Sequence, residues 1–543
     1  MKTILIAINS KYIHTNLAIR LLKVNTDYEV EIKEYTIKDD YSKIIDYLVL
    51  NNYDLIGIST YIWNVEYVKK LTSLIKEKLP NIKILLGGPE VSYNHDYFLN
   101  NFPIDYIIRN EGEEAFNKLL YNLENNLSLE DVPNLAYLNH ENKLKEVDTL
   151  NINSPHFLDN DYENRITYIE TSRGCPFSCA YCMASLEKKV RFFDLETVKK
   201  DILYLTSKGA RIFKFLDRTF NTDIKKALEI FDFIIKNHYP NTSFQFEITG
   251  DILPIEIIAY LNKNAPKNLF RFEIGIQSTN DYTNSLVNRH QNKEKLFNNI
   301  IAIQDAGIID LHLDLIAGLP KEDISSFEKT FNDVLSLRPK ELQLGFLKLL
   351  KGTALYNEKE IYKYKYSSSS PYEIISNDSL SEGDIKDIGI VENVLEKYYN
   401  SGFIKTGINL ILDEISSPFK FFLEFGKYYE EKYSWLNYNL DELITRLIEY
   451  LNKVNFINLD EIIFNIKYDY LNHFNIKPKI WWKRIDKKSR NELIVHLHKD
   501  KLSQYMIEDL YRYAFIEPFN DKYIIAIYKE NLKDVFIIEV KKS

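Results

Sequence analysis

The chain has 543 residues, more than one core supports, and its 45% hydrophobic and 27% charged content is that of a globular protein of several domains. Its 69 basic and 78 acidic residues leave a net charge of −9, which excludes a surface built throughout for nucleic acid while leaving local basic patches open. No stretch is long and apolar enough to cross a bilayer, and "MKTILIAINS" reads as a first strand rather than a signal peptide, so the expected compartment is cytoplasmic, with no membrane partner.

Apolar runs and amphipathic segments alternate through the first 125 residues: "TILIAI" (3–8), "YEVEIKEY" (28–35), "DLIGIST" (54–60), "KILLGG" (83–88) and "DYIIRN" (105–110). This alternation predicts a parallel, doubly wound α/β sheet that binds ligands at the carboxyl ends of its strands. No G-x-G-x-x-G is present, so a dinucleotide reading lacks its fingerprint. A second alternation begins near 165, with strands at "ITYIET" (166–171), "RIFKFLD" (211–217), "SFQFEI" (243–248), "RFEIGI" (271–276), "LHLDLIAG" (311–318) and "ELQLGFL" (341–347). Ile224, Leu228, Phe231 and Ile235 share one helical face behind the N-cap candidate Thr222, and Ile324, Phe327, Phe331 and Val334 share another. Six consecutive βα units predict a barrel or an open (β/α)6 partial barrel, with its site beyond the strand carboxyl ends. "YSSSSP" (366–371) reads as a linker, followed by helices and a terminal strand–turn–strand, "KYIIAIYKENLKDVFIIEVKK". The expected domains are 1–140, 141–365 and 366–543, the last mostly helical with a terminal β-hairpin.

All three cysteines lie in "SRGCPFSCAYCMAS" (172–185), immediately after the first barrel strand. Randomly scattered cysteines would fall into C-x3-C-x2-C in about two chains per hundred thousand, so buried core thiols are a poor account of Cys175, Cys179 and Cys182. A structural zinc site needs a fourth ligand, and no His or Cys follows nearby. Three thiolates on a tight loop suit three irons of an iron–sulfur cubane and leave the fourth iron open. Pro176 stiffens the loop, and Tyr181 offers an aromatic wall.

With these residues the chain resembles the radical S-adenosylmethionine superfamily, whose C-x3-C-x2-C loop "CPFSCAYC" reproduces with the aromatic before its last cysteine. The resemblance implies a 4Fe–4S cluster ligated by Cys175, Cys179 and Cys182, S-adenosylmethionine on the open iron, and a 5′-deoxyadenosyl radical as hydrogen abstractor. It also implies a low-potential electron donor such as flavodoxin or ferredoxin, and it makes further residues candidates for cofactor contact. "FEIGIQS" (272–278) offers Gln277 and Ser278, "LIAGLP" (315–320) a turn beside the adenine, and the end of the third strand Glu247 for the ribose hydroxyls. "FLDRTFN" (215–221) offers Asp217, and Arg218 as a partner for a carboxylate.

The N-terminal domain resembles the cobalamin-binding domain of the cobalamin-dependent branch of that superfamily. Gly57 and Ser59 match a strand-end G-x-S, Gly87 and Gly88 a double glycine, and "RNEGEEAF" (109–116) a Glu-Gly-Glu turn. Ser59, Gly87 and Gly88 are the candidate cobalamin contacts, small enough for backbone to approach the nucleotide tail. The D-x-H-x-x-G that supplies a cobalt ligand elsewhere is absent; its place is "NSKYIHTNLA" (9–18), and His14 is weighed as a ligand against a helix-start or core role. "KPKIWWKRIDKKSR" (477–490) is read as a solvated basic face over packed tryptophans, with RNA binding as the alternative.

The resemblance implies a radical enzyme that transfers a methyl group to an unactivated carbon of a small-molecule or peptide substrate, with nucleic acid disfavoured. Rearrangement or cyclisation without methyl transfer is the first alternative. RNA methylthiolation, which uses further N-terminal cysteines, and a non-catalytic cobalamin sensor are the others.

Overall fold

The computed structural model describes residues 1–158, 162–530 and 532–540. The chain forms two compact units, one of Met1–Phe327 with Leu344–Glu382 and the other of Glu328–Gln343 with Gly383–Ser543.

The first unit opens with β1 (Thr3–Asn9), β2 (Val30–Thr36), β3 (Leu55–Ser59), β4 (Lys83–Gly87) and β5 (Tyr106–Ile108), in the order β2-β1-β3-β4-β5, all parallel. Every residue of β1 and β3 is buried. Ile4, Ile6, Ile8, Ile56 and Ile58 pack into one core, and Leu5, Ala7 and Leu55 into another. Successive side chains point to opposite faces of a strand, so a strand covered on both sides must be apolar throughout. The expected sheet is therefore present, extended by an antiparallel hairpin of β6 (Leu135–Tyr137) and β7 (His140–Glu141) that the periodicity does not reveal. Asn139, at φ 59°, turns it.

The second sheet is laid down in chain order. It consists of β8 (Ile166–Ile169), β11 (Ile212–Phe215), β12 (Ser243–Ile248), β13 (Phe270–Gln277), β14 (Asp310–Ala317) and β15 (Glu341–Phe346). Two short strands intervene after β8, β9 (Ser172–Arg173) and β10 (Arg191–Phe192), paired antiparallel. β8, β11, β12, β13 and β14 pair in parallel, forming the expected open (β/α)6 array. Its helix-covered face is aromatic: Phe246 stacks on Phe215 at 4.3 Å and meets Phe220 at 4.4 Å and Phe231, from the helix Ile224–Asn237, at 5.1 Å. The opposite face carries the alternate residues Gln245, Glu247, Arg271 and Glu273, so the lumen is polar.

The helix Ile224–Asn237 is capped by Asp223, which accepts from the N–H groups of Lys225 and Lys226. Thr222 belongs to the preceding 3-10 turn, its buried hydroxyl without a partner among the described residues, so the expected cap is displaced by one residue to the better acceptor.

"YSSSSP" does not run free. It lies between β16 (Lys365–Tyr366) and β17 (Ile374–Ser376), which pair antiparallel. Ser370 donates to the carbonyl of Ile62, and Tyr372 to the carboxylate of Glu90.

The second unit is mainly helical, with helices at Lys405–Glu414, Pro418–Lys432, Leu440–Lys453 and Leu459–His473. It ends in β18 (Ala514–Phe519), β19 (Lys522–Lys529) and β20 (Leu532–Glu539), antiparallel, so the expected hairpin gains a third strand. Asn531 and Lys541–Lys542, which the expected strand–turn–strand segment also covers, fall outside the described residues. Trp482 is buried under Lys467 and Lys477, each 5.2 Å from its ring, and Lys477 pairs with the buried Glu517. Lys483, Arg484, Lys487 and Lys488 face solvent.

Truncating the ring at the centre of the barrel's aromatic layer removes packing that cannot collapse. Phe246→Ala should cost about 3–5 kcal/mol in chemical denaturation; a loss under about 1 kcal/mol would show that the layer is not held there.

Candidate active site

The cysteines occupy a loop closed at its base by the β9–β10 ribbon. Gly174 opens it at φ +89°, where a Cβ would run into the carbonyl of Lys189. The loop is fastened by its backbone. Cys175 N donates to Glu187 O at 2.8 Å, Cys182 N to Cys179 O at 3.1 Å, and Ala180 N to Val287 O at 2.9 Å. All three thiols are free; Cys175 and Cys179 are buried and Cys182 partly exposed. Burial pushes the Cys182 thiol up, with Cys179 and Cys175 adding to the rise and Arg218 opposing it. Among the described residues no three Cys, His, Asp or Glu side chains are drawn together tightly enough for a single metal ion. A cubane makes a different demand, since each thiolate ligates its own iron.

Around this loop the expected residues divide. Asp217 is fully buried. Its carboxylate accepts from Thr171 N at 3.0 Å, Thr171 Oγ1 at 2.5 Å and Ser172 Oγ at 2.6 Å, and burial pushes it up to about 6. The expected cofactor contact is thus spent on the strand end that leads into the cysteine loop. Ser278 is likewise turned away, donating to Glu322 at 2.6 Å from a buried position.

Arg218, by contrast, is exposed, and among the described residues its guanidinium has no hydrogen-bond or ion-pair partner. Glu247 points into the lumen without a hydrogen bond among the described residues. Burial pushes its carboxyl up to about 7, reinforced by Glu273 and Asp314 and opposed by Lys214 and Arg218. Gln277 sits in the left-handed region at φ 70°, beside a register shift in the β13–β14 ladder, with its Oε1 buried and without a partner among the described residues. Bulges and strained backbone of this kind re-aim side chains at functional sites.

Tyr181 donates nothing to the loop backbone; its phenol, raised by burial, receives an N–H from Arg289 Nη1 at 3.1 Å. The same nitrogen lies 3.7 Å from Cys179 Sγ, and Nη2 donates to the carbonyl of Gly275. No periodicity singles out Arg289, which sits in a turn after the helix Asp281–Leu286.

The N-terminal sheet presents its strand ends to the same mouth. Ser59 Oγ accepts from Asn16 Nδ2 at 3.3 Å. Gly88, at φ +111°, leaves no space for a Cβ beside Thr60 O, so its role is in the backbone. Gly87 differs: a Cβ there would meet only Ile108 O, at 3.7 Å, and would otherwise project into open space. Tyr61 and Trp63, unforeseen in the sequence, stack at 4.3 Å on the loop after β3, and Trp63 is 47% exposed. His14 spends Nδ1 on Tyr168 Oη at 2.7 Å, and burial, then Lys11 and Lys214, lower its pKa. Its segment bridges to Ile166 of the barrel.

An ionic knot joins sheet and loop. Arg173 meets Glu113 at 2.7 Å, Glu170 at 3.0 Å and Glu111 at 3.2 Å, while Arg191 meets Glu111 at 2.8 Å. Burial raises Glu111, yet Arg191, the N–H of Val147 and Arg173 hold it below the ordinary range.

Residues 3–120 match the B12 binding domain, residues 169–334 the radical SAM superfamily, and residues 360–541 a domain described only as a protein of unknown function, DUF4080. The chain thus joins a B12 binding domain to a radical SAM domain, the domain pair of cobalamin-dependent radical S-adenosylmethionine enzymes. The two matches imply cobalamin as the cofactor of the first domain and S-adenosylmethionine with a 4Fe–4S cluster as those of the second. An uncharacterized methyltransferase of Pyrococcus horikoshii is 28% identical over 227 residues, 38% of this chain and 49% of that protein. An anaerobic magnesium-protoporphyrin IX monomethyl ester cyclase of Synechocystis is 28% identical over 233 residues, 40% of this chain and 46% of that protein. The chain thus spans about half the length of these curated relatives. Among solved structures, the radical S-adenosylmethionine methyltransferase TsrM of Kitasatospora setae, with cobalamin and a [4Fe-4S] cluster bound, superposes with a TM-score of 0.58 at 14% identity. The match covers 70% of this chain and 82% of that one, a likeness of fold.

The residues present fit these groups. Three free thiols stand at the barrel mouth, Gly87 leaves a cradle that a Cβ would fill, and Gln277 aims a buried acceptor with no partner among the described residues.

Glu247 should hold its proton below about pH 7 and ionise above it. A carboxyl raised on folding favours the native state most fully below its unfolded value of 4.5, and that contribution disappears as pH climbs through 7. Glu247→Gln should therefore flatten the decline in stability between those limits, as read by denaturation at stepped pH. An unchanged slope would place the titration elsewhere.

Proposed function

We propose that this chain is a cobalamin-dependent radical S-adenosylmethionine enzyme that transfers a methyl group to an unactivated carbon of a small-molecule or peptide substrate. The observation that carries the reading is the meeting of two cradles at one mouth. The cysteine loop and the strand ends of the B12 domain are tied together by Arg173, Glu111 and Glu113. When bound, the cluster and S-adenosylmethionine supply one-electron cleavage of a sulfonium carbon bond, and cobalamin supplies a transferable methyl group.

In this reading Cys175, Cys179 and Cys182 ligate three irons, and Asp217 holds the loop entrance rigid through Thr171 and Ser172. Arg218, cationic and unpartnered, receives the methionine carboxylate, and Gln277 and Glu247 accept from nucleoside hydroxyls. Ser278 fixes the turn beneath them through Glu322. Tyr181 screens the loop from water, and Gly87 lies against the corrin or its tail, with Ser59 and Gly88 shaping the strand ends there. A low-potential flavodoxin or ferredoxin delivers the electron.

Rearrangement or ring closure without methyl transfer is the second reading, supported by the magnesium-protoporphyrin ester cyclase among the relatives. RNA methylthiolation, the activity in the name of a tRNA-2-methylthio-N(6)-dimethylallyladenosine synthase of Thermodesulfovibrio yellowstonii that is 24% identical over 277 residues, is the weaker reading, because the sequence has no cysteine besides these three to hold a second cluster.

Anaerobic reconstitution should load about four irons per chain, the content of one cubane. Alanine at Cys175, Cys179 or Cys182 should abolish both loading and S-adenosylmethionine cleavage with an unchanged thermal midpoint, and cleavage by the triple variant would sink the radical reading. Methyl-labelled S-adenosylmethionine incubated anaerobically with cell extract separates the two reactions, since only methyl transfer moves label into product.

Gly87→Leu fills the cradle without striking backbone, so it should bind no cobalamin by visible spectroscopy while keeping its iron and its fold. Unimpaired cobalamin binding there would displace the proposed pocket.

A further inference from the structure

Among the described residues Arg289 is a cation without a counter-charge. Its Nε is buried without a partner among these residues, none of which places a carboxylate within ion-pair distance. Its partners are a neutral carbonyl at Gly275, the Tyr181 phenol at 3.1 Å and the Cys179 sulfur at 3.7 Å. Withdrawing a guanidinium from water is costly unless charge or hydrogen bonds replace the lost solvation.

The geometry is also over-determined. Gln291 Nε2 binds the same Gly275 carbonyl at 3.0 Å, and the turn that carries Arg289 holds the cysteine loop through Ala180 N and Val287 O, at 2.9 Å. At Gly275 a Cβ would collide with Gln277 Nε2 and stand 3.3 Å from Arg289 Nη2, so the glycine keeps the passage clear. The side chain is thereby aimed at one sulfur of three.

We propose that Arg289 sets the reduction potential of the cluster through Cys179. This rests on the reading of the three cysteines as cluster ligands. Hydrogen bonds to ligating sulfur and nearby positive charge stabilise the state with one more electron, and both raise the potential of an iron–sulfur centre. Arg289 supplies both at a thiolate that also carries the charge it lacks elsewhere. The residue acts on the ease with which the donor's electron arrives, and the sulfonium cleavage follows from that.

The test is a redox titration of the full chain, reconstituted anaerobically with iron and sulfide and without S-adenosylmethionine, followed by electron paramagnetic resonance of the reduced cluster. Arg289→Gln removes charge and fork, and its midpoint should fall by at least a factor of ten in the one-electron equilibrium, about 59 mV. Arg289→Lys keeps the charge but cannot grip Gly275 and reach Cys179 together, so its midpoint should lie between. Wild-type midpoints in both variants, at full iron content, would overturn the proposal. If Arg289→Gln holds no cluster, Arg289→Lys decides by the same criterion. Absence of iron from the reconstituted wild type would instead remove the cluster reading, and this inference with it.

Discussion

The relation between the two halves of the site depends on one guanidinium. Arg173 lies two residues before Cys175 and is shared among Glu170 at the end of the first barrel strand and Glu111 and Glu113 of the N-terminal sheet. Such a cluster is a poor source of net stability, because each group gives up water to enter it. Its value is in specifying position. Breaking one side would leave uncompensated charge, so the strand ends and the loop are held in a single register. Arg191 repeats the grip on Glu111 from the far side of the ribbon, and the acidic turn is held from two directions.

Much of this was legible in the sequence because parallel sheets announce themselves. A strand covered on both faces must be apolar throughout, so "TILIAI" and "DLIGIST" could be placed without knowing their neighbours. The cysteine loop was legible because its spacing is improbable. What escaped was non-local. Nothing in "FLDRTFN" distinguishes an Asp turned toward a cofactor from one turned toward Thr171 and Ser172, 46 and 45 positions earlier. Ser278 poses the same difficulty, its partner Glu322 lying 44 positions on. Thr222 and Asp223 are both good caps, and only the backbone decides between them. Arg289, Tyr61 and Trp63 belong to no periodic pattern at all.

The lumen shows how an open barrel differs from a closed one. A closed eight-stranded barrel fills its interior with branched apolar layers. Here, on a six-stranded open sheet, the inward positions are Gln245, Glu247, Arg271 and Glu273. They are satisfied partly by one another: Gln245 donates to Glu273 at 2.7 Å, Lys214 pairs with Glu273 at 3.4 Å, and Arg271 bonds His312 at 2.7 Å. The stabilising packing has moved outward, to the phenylalanine layer under the helices, which leaves the inner face to chemistry.

The strap that follows β15 touches every part of the mouth. Leu355 N donates to Ala180 O in the cysteine loop, Tyr364 to Gly318 O after β14, and Ser370 and Tyr372 reach the turns after β3 and β4. Two of those contacts span 308 and 282 positions of chain. During synthesis the N-terminal sheet is complete long before its last contacts exist, and domains of this kind fold as they emerge. The turns after β3 and β4 therefore wait, formed but unclamped, while more than two hundred further residues are made. Closing so long a loop comes late and slowly. The mouth is the last part of this unit to be finished, and the nascent chain passes through an interval in which a bulky cofactor meets an edge still open on one side.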